Sequence, residues 1–173
     1  MRRIRYVVAM SLDGYIAGPN GEYDWIVMDP EIDFGALFNQ FDTMLMGRKS
    51  FELTLQAGDF GMPKMKQFVF SRTLQQSDYP DVTIVADKLE EALTPLREES
   101  GKDIWIFGGG SLFRSLLDAG LVDTVEVAVV PILLGGGIPM LEPPAKQAKL
   151  QLTGHKIYGT GIVALEYAVK NAA

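Results

Sequence analysis

Three consecutive glycines, Gly108, Gly109 and Gly110, lie between an apolar strand-like run at 104–107 and an amphipathic helix-like run at 111–119. Glycine lets the backbone take positive φ values and approach a ligand closely. The first N–H groups of the following helix have no partner inside the helix, and the positive end of its dipole points the same way. The junction is therefore a candidate phosphate site, with a tight turn that binds nothing as the alternative. It matches neither the G-x-G-x-x-G fingerprint nor the P-loop.

Basic and hydroxyl side chains follow two further apolar runs. Gly47, Arg48, Lys49 and Ser50 come directly after the run at 43–46, and Ser71 and Arg72 come after the run at 67–70. Ligands of an open α/β sheet bind at the carboxyl ends of its strands, and arginine pairs with phosphate bidentately. Taken singly, such basic side chains are usually solvated surface charges. Together, these strand ends predict a site for several phosphates, such as those of NADPH.

The elements that must position these residues alternate along the chain. Apolar β-rich runs at 5–10, 43–46, 67–70, 82–85, 104–107 and 125–130 are separated by helix-like segments at 33–41, 50–55, 88–99 and 111–119. This alternation predicts an α/β sheet. Segments 150–158 and 162–170 face each other across the turn at 159–161, which predicts an antiparallel hairpin. We therefore expect a mixed sheet.

The third helix-like segment carries two local signals. Asp87 followed by Glu90 resembles a capping box at its start, and Pro95 is expected to kink or shorten it.

Composition excludes several classes of function. The 173 residues fit one domain, and a net charge of −6 with a pI near 4.8 argues against a nucleic-acid or anionic-membrane partner. The chain has no cysteine and only one histidine, His155, so thiolate metal sites and a serine triad are disfavoured. We expect no metal. The apolar run near the N-terminus is too short for a signal peptide, which predicts a cytoplasmic protein.

Four segments carry a family resemblance. The runs SLDGYIAG, LMGRKSFE, FSR and IFGGGSLFRSLLDAGLVDTVEVAVVPILLGGGIPM resemble the dihydrofolate-reductase-like superfamily. They are most similar to the reductase domain of bacterial riboflavin biosynthesis and its stand-alone relatives. The resemblance covers nearly the whole chain. It implies an α/β fold with a mixed, mainly parallel sheet flanked by helices and a C-terminal antiparallel hairpin, in a single domain spanning 1–173.

The same resemblance implies an NADPH site and assigns residues to it. The triple glycine with Ser111, Leu112 and Phe113 would cradle the pyrophosphate, and Ser50 would bind one of its oxygens. Arg48, Ser71 and Arg72 would hold the 2′-phosphate. Ala9 and Ile16 would pack on the nicotinamide, and core packing is an equal alternative for these two.

The substrate side is less determined. Dihydrofolate reductases resemble this chain in carrying a carboxylate at the start of the first helix, which points to Glu31 or Asp33; a helix-capping or first-turn position is the commoner one for such residues. Asp13 matches a position near the substrate ribose in the riboflavin-type reductases, or is a turn residue before Gly14. Tyr23 and Trp25 either stack on a heterocycle or close the core.

These observations predict an NADPH-dependent reductase that transfers a hydride to a small heterocyclic substrate such as a pterin or pyrimidine. The alternative is a catalytically silent NADPH- or nucleotide-binding protein. The sequence shows no deaminase domain and no cysteine–histidine zinc motif, so we do not expect a bifunctional riboflavin enzyme. The apolar segment 125–134 lacks clean alternation, and since the resembling domains commonly pair two-fold, we expect a homodimer with this segment and part of the hairpin at or near the interface. The second triple glycine, 135–137, is interpreted as a structural turn there.

Overall fold

A computed structural model describes residues 1–58 and 60–170. Its strands are β1 (Ile4–Ser11), β2 (Tyr15–Ala17), β3 (Phe41–Gly47), β4 (Lys66–Phe70), β5 (Thr83–Val85), β6 (Asp103–Gly108), β7 (Thr124–Val130), β8 (Ile138–Pro139), β9 (Lys149–Ile157) and β10 (Val163–Lys170). Its α-helices are α1 (Phe34–Phe38), α2 (Arg48–Ala57), α3 (Leu89–Glu98) and α4 (Gly110–Asp118).

Eight strands form one sheet in the order β5-β4-β3-β6-β1-β7-β10-β9. The strands from β5 to β7 are parallel to their neighbours, whereas β10 is antiparallel to both β7 and β9. The mixed, mainly parallel sheet and the C-terminal antiparallel hairpin are thus confirmed. A small antiparallel pair of β2 and β8 was not predicted, because strands of three and two residues carry too little periodicity to detect.

The alternation of side chains along β6 divides the interior into two packed layers. Ile104 and Ile106 face the layer that contains Leu112 and Leu116 of α4, whereas Trp105 faces the layer that contains Phe51 of α2. Successive strand residues point to opposite faces, so Trp105 and Phe107 share the α2 face. This face carries the cleft described below.

Two arginines stabilise the opposite, amino-terminal ends of the strands. The buried guanidinium of Arg2 donates to the Lys102 carbonyl at 2.6 Å, to Thr43 Oγ1 at 2.7 Å and to the Asp42 carboxylate. Arg5 on β1 donates to both carboxylate oxygens of Glu126 on β7, at 2.8 and 2.7 Å. Charged groups buried at this end are therefore paired within the chain.

Several element boundaries differ from the predictions, and the starts or ends of three helices are the most informative. α1 ends at Phe38, because Phe41 begins β3 and is buried against Trp105 with ring centroids 5.7 Å apart. α2 begins at Arg48, two residues earlier than expected, so the basic residues belong to its first turn. The predicted capping box of α3 is wrong: Lys88 is the N-cap, in the left-handed region with φ +62°, and Asp87 pairs with Arg72 instead. Pro95 lies inside α3, which continues to Glu98.

Candidate functional site

Three helices begin without a side-chain cap at one edge of the sheet. The N-cap residues of α2, α3 and α4 are Gly47, Lys88 and Gly109, and none of them caps its helix with a side-chain hydrogen bond in the described structure. All three helix starts line the same cleft. Unpaired N–H groups and the positive ends of the dipoles therefore converge there, and this arrangement favours an anion with several charges.

The cleft has a volume of about 1590 Å³. Ordinary small-molecule pockets measure roughly 300–1,000 Å³. It lies at the carboxyl ends of β3, β4, β5 and β6 and extends over the α2 face of the sheet. The space is sufficient for a dinucleotide and a second small ligand together.

Glycine is present at each of the three positions of the first junction for a different structural reason. Gly108 has φ +153°, a region that side chains rarely adopt. Gly109 has ordinary extended geometry, and a Cβ on it would meet only Ser50 Oγ, at 3.8 Å, and would otherwise enter the open cleft. A Cβ on Gly110 would lie 2.5 Å from the Pro139 carbonyl oxygen, so this position is required by packing against β8. Gly109 is thus the position that keeps space free for a ligand.

The backbone N–H groups at the start of α4 fall into one that is bonded within the helix and three that have no helical partner. The Phe113 N–H donates to the Gly109 carbonyl at 3.0 Å, which is the first hydrogen bond of α4. The N–H groups of Gly110, Ser111 and Leu112 precede this bond and have no helical partner. Leu112 and Ser111 line the cleft, and they remain candidates for contact with a pyrophosphate.

Phe113 requires a correction. Its side chain is only 2% exposed and stacks on Tyr6 with ring centroids 3.9 Å apart. It does not line the cleft, and its N–H is used within α4. Phe113 is therefore a core residue whose polar group is already satisfied, and its predicted position in the cofactor site is not supported.

The predicted phosphate-binding side chains lie in the cleft and are exposed. The Arg48 side chain is 45% exposed and pairs with Glu52 at 3.1 Å, while the Arg72 side chain is 82% exposed and pairs with Asp87 at 3.0 Å. Lys49 and Ser71 also line the cleft. Exposed ion pairs contribute little to stability, so both arginines can exchange their carboxylate for a phosphate at low cost.

Two residues predicted to pack on the nicotinamide, Ala9 and Ile16, line the cleft as well. Ser50 is adjacent to the glycine junction, since its Oγ would be 3.2 Å from a Cβ on Gly108. The residues predicted for the cofactor therefore lie along one continuous surface, apart from Phe113.

Asp13 lies outside the cleft lining. Its carboxylate accepts hydrogen bonds from Ser11 Oγ at 2.7 Å and from the N–H groups of Leu134 and Gly135 at 3.0 and 2.8 Å. These bonds, led by the one from Ser11, lower the pKa of Asp13 below its usual value. The geometry ties the turn after β1 to the segment after β7, and it favours the charged form over the protonated form that an acid catalyst needs.

Glu31 and Asp33 also lie outside the cleft lining. Asp33 is the N-cap of α1 and accepts from the Ala36 N–H at 2.9 Å, which is the helix-capping alternative considered above. The Glu31 side chain is exposed. The buried carboxylate in this stretch is instead Asp29, which was not singled out from the sequence.

Asp29 joins the segment before α1 to the turn of the C-terminal hairpin. Its Oδ2 accepts from Thr160 Oγ1 at 2.6 Å and from the Thr160 N–H at 3.2 Å, and its Oδ1 accepts from the Glu31 N–H at 2.8 Å. These bonds, with the Thr160 hydroxyl first, lower the pKa of Asp29. The segment anchored in this way carries Tyr23 and Ile26 into the cleft.

We expect Asp29→Asn to lower the melting temperature at neutral pH, because the amide is a weaker acceptor than the carboxylate it replaces. A carboxyl group whose pKa is lowered by folding stabilises the folded protein at pH values above its unfolded pKa of about 3.9. This stabilisation is lost as the pH falls through the lower pKa of the folded state. The difference from wild type should therefore shrink below a pH of about 4. Thermal unfolding across pH tests this, with the exposed Asp81→Asn as the matched control; an equal loss at all pH values would contradict it.

The family assignment comes from comparison with known proteins. The RibD C-terminal domain matches residues 2–164 of this chain. The chain belongs to the RibD C-terminal domain family. The resemblance stated from the sequence is thus confirmed.

Relatives of this RibD C-terminal domain chain agree with that assignment. The uncharacterized protein YyaP of Bacillus subtilis (strain 168) is 35% identical over 182 residues, covering 96% of this chain and 94% of its own. A solved structure from Shewanella sp. PV-4, named as a putative riboflavin biosynthesis protein, has a TM-score of 0.84 at 27% identity and covers 98% and 99% of the two chains. A dihydrofolate reductase from Enterococcus faecalis, solved with NADP(H), shares the fold, with a TM-score of 0.70, 18% identity and coverage of 98% and 97%.

The cleft of this RibD C-terminal domain is also lined by aromatic residues that the sequence analysis missed. Six aromatic side chains line the cleft within the described residues. Phe70 packs against the α4 layer, and we call the other five the aromatic wall: Tyr23, Phe38, Phe60, Trp105 and Phe107. Only Tyr23 had been proposed; Trp25 does not line the cleft and donates its indole N–H to the Glu22 carbonyl at 3.0 Å. The i, i+2 spacing of Trp105 and Phe107 in β6 was a usable signal, because strand alternation puts both on one face.

His155 and the second triple glycine were also singled out from the sequence. His155 is on β9 opposite Leu165 and does not line the cleft. In the second triple glycine, Gly137 has φ +148°. A Cβ at this position would collide with the Ala17 carbonyl oxygen of β2, so a glycine here permits the β2–β8 pairing. Within residues 1–58 and 60–170, no helix is long and apolar enough to cross a membrane. In the same residues, no group of three or more His, Cys, Asp or Glu side chains is placed to hold a metal ion.

Proposed function

We propose that this chain is an NADPH-dependent reductase that transfers a hydride to a small heterocyclic substrate, such as a pterin or pyrimidine. The observation that carries this proposal is the convergence of three uncapped helix starts on one cleft that also holds Arg48 and Arg72. The space above Gly109, which a Cβ would fill, fits a pyrophosphate held by the N–H groups of α4. Arginine side chains at neighbouring strand ends fit a further phosphate.

When bound, NADPH supplies the hydride, and the protein contributes binding and orientation. The start of α4 would hold the pyrophosphate, Arg48 and Arg72 would hold the 2′-phosphate, and Ala9 would pack on the nicotinamide. Reduction of the substrate by the hydride would also require one proton. Because Asp13, Glu31 and Asp33 lie outside the cleft lining, none of them is assigned to that proton transfer.

The same observation keeps the second candidate function open. A cofactor cleft without these three carboxylates also fits a protein that binds NADPH and does not turn it over. Calorimetric titration with NADPH tests the binding, and the absorbance of the reduced nicotinamide follows turnover with pterins, flavins and pyrimidines. Binding with turnover supports the reductase, binding without turnover supports the silent protein, and the absence of NADPH binding contradicts both.

We also propose a homodimer, on different grounds from the sequence argument. The segment 125–130 forms β7, which is paired with β1 on one side and β10 on the other, and its apolar side chains are covered largely by its own chain. Exposed apolar side chains lie instead at Leu12, Leu133 and Ile157, near the carboxyl ends of β1 and β7 and on the edge strand β9. An apolar edge strand invites pairing with a second copy.

We expect sedimentation equilibrium at micromolar concentration to give twice the chain mass of 19.0 kDa. Ile157→Asp should shift the protein to the monomer, because it buries an unpaired charge in the proposed interface. Leu55→Asp, at an exposed apolar position on α2, is the matched control and should remain dimeric. A wild-type monomer would contradict the proposal.

A further inference from the structure

The aromatic wall is continuous. Tyr23 meets Phe60 edge to face with centroids 6.3 Å apart, and Phe60 lies 6.4 Å from Phe107. Phe107 meets Trp105 at 5.3 Å, and Trp105 stacks on Phe38 at 5.4 Å. These rings come from β6, from α1 and from two loops that are distant in sequence. Each ring of the wall therefore contacts the next along the cleft, with Tyr23 and Phe60 the most exposed and Trp105 only 7% exposed at its base.

The wall lies beside the position assigned to the nicotinamide. β1 is the neighbour of β6 in the sheet, and Val7 and Ala9 of β1 line the same cleft. Trp105 donates its indole N–H to the Val7 carbonyl at 3.0 Å, which joins the wall to β1 two residues before Ala9. A flat molecule on the wall would therefore lie next to the ring that carries the hydride.

The charged side chains of the cleft lining belong to other elements than those that carry the wall. The ionisable groups that line the cleft belong to α2, to the segments after β4 and β5, to the start of α3 and to Glu142 after β8, apart from Tyr23 in the wall itself. Six of these groups are paired with one another, as Arg48 with Glu52, Arg72 with Asp87, and Lys88 with Glu91. No cation–π contact involves the wall within the described residues. A charged substituent buried against the wall would lack a partner.

The aromatic wall also offers few polar groups that could form hydrogen bonds with a ligand. The only polar atom of Trp105 is already used by Val7, and phenylalanine has none. The hydroxyl of Tyr23 remains, together with the amides of Asn20 and Gln56, which also line the cleft. A ligand here is held by stacking and apolar burial with one or two hydrogen bonds.

We infer that the second ligand of the cleft is an uncharged, planar, largely apolar acceptor such as a neutral quinone or a neutral fused heterocycle. This inference rests on the proposed reductase function and revises its substrate class: a planar neutral ring is the requirement, whether or not the ring contains a heteroatom. It excludes substrates with a phosphate or carboxylate beside the reacting ring. The reaction would convert the acceptor, NADPH and one proton into the two-electron-reduced product and NADP⁺.

The test uses menadione, a neutral naphthoquinone, and the sulfonate of the same ring system. Calorimetric titration of the NADP⁺-saturated protein measures binding without turnover, and the absence of cysteine removes the usual thiol adducts of quinones. We expect menadione to bind at least about tenfold more tightly than the sulfonate, because the sulfonate would lose water without gaining a partner. Equal or tighter binding of the sulfonate would overturn the inference.

Substitutions in the aromatic wall test whether menadione binds there. Tyr23 and Phe60 are 47% and 41% exposed at the mouth of the cleft, so their truncation should leave the fold intact. We expect Tyr23→Ala and Phe60→Ala each to weaken menadione binding by roughly fivefold to tenfold through lost stacking. Leu55→Ala, an exposed apolar truncation on α2 outside the cleft lining, should leave it unchanged.

NADPH affinity distinguishes a failure of the proposed substrate class from a failure of the proposed reductase function. It should be unchanged in Tyr23→Ala and Phe60→Ala, and menadione should not displace NADPH. If NADPH binds normally but menadione binding is insensitive to both variants, or menadione competes with NADPH, the substrate class is wrong and the reductase proposal stands. If NADPH itself does not bind, the reductase proposal fails.

Discussion

Gly109→Val is expected to abolish NADPH binding while the protein remains folded. Extended geometry at this position accepts a β-branched residue, and the added side chain would occupy the open space next to the α4 N–H groups. Losing two charge-assisted hydrogen bonds, at about 1.5–3 kcal/mol each, would weaken binding at least about 100-fold. Calorimetric titration with NADPH measures this loss.

Substitutions at two other glycines serve as comparisons for Gly109→Val. Gly136→Val adds the same side chain at a site with open space outside the cleft lining, and it should leave NADPH binding unchanged. Gly110→Val should lower stability instead, because its Cβ would meet the Pro139 carbonyl oxygen at 2.5 Å. Circular dichroism and thermal unfolding separate these cases. A folded Gly109→Val protein that binds NADPH normally would place the cofactor elsewhere.

Arg48→Ala and Arg72→Ala are each expected to weaken NADPH binding roughly tenfold and to leave NADH binding nearly unchanged. A charge-assisted hydrogen bond to phosphate is worth about 1.5–3 kcal/mol, and the exposure of both side chains favours the lower end. Only NADPH carries the 2′-phosphate that these side chains are proposed to hold. Parallel titrations of both cofactors provide the measurement.

The control for this pair is Arg114→Ala. Arg114 lies on α4, bonds to the Pro143 carbonyl at 3.3 Å and does not line the cleft, so its removal should affect neither cofactor. NADPH affinity of the wild type should also fall more steeply with salt than NADH affinity, since screening acts on the extra phosphate. Equal weakening of both cofactors by the two cleft variants would exclude the 2′-phosphate assignment.

The sheet and the edge that carries the cleft were predictable because their signals are local. A strand followed by glycine and an amphipathic helix is a contiguous pattern, and parallel strands bring their carboxyl ends to one edge. Gly47 to Ser50, Arg72 and Gly108 to Leu112 could therefore be grouped without any knowledge of strand order. Their order across the sheet, with β6 inserted between β3 and β1, did not affect this grouping.

Side-chain direction was only partly predictable. Phe113 was assigned to the cofactor site by the family resemblance, although its spacing with Leu112 and Leu116 marks the buried face of α4. Phe41 was assigned to a helix, and only the burial of its ring against Trp105 reveals the start of β3. Local propensity is a weak guide where tertiary packing provides most of the stabilisation.

The sequence by itself determined the fold family, the edge of the sheet that carries the cleft and the basic side chains that face it, since each of these depends on residues adjacent in the chain. Only the tertiary structure decided that Asp13, Glu31 and Asp33 stay outside the cleft lining, while Tyr23, Phe38 and Phe60 join Trp105 and Phe107 in one wall. The physical reason is that a substrate surface forms between elements far apart in sequence. Its composition therefore depends on which loops and helices pack over the sheet, and periodicity along the chain contains no information about that packing.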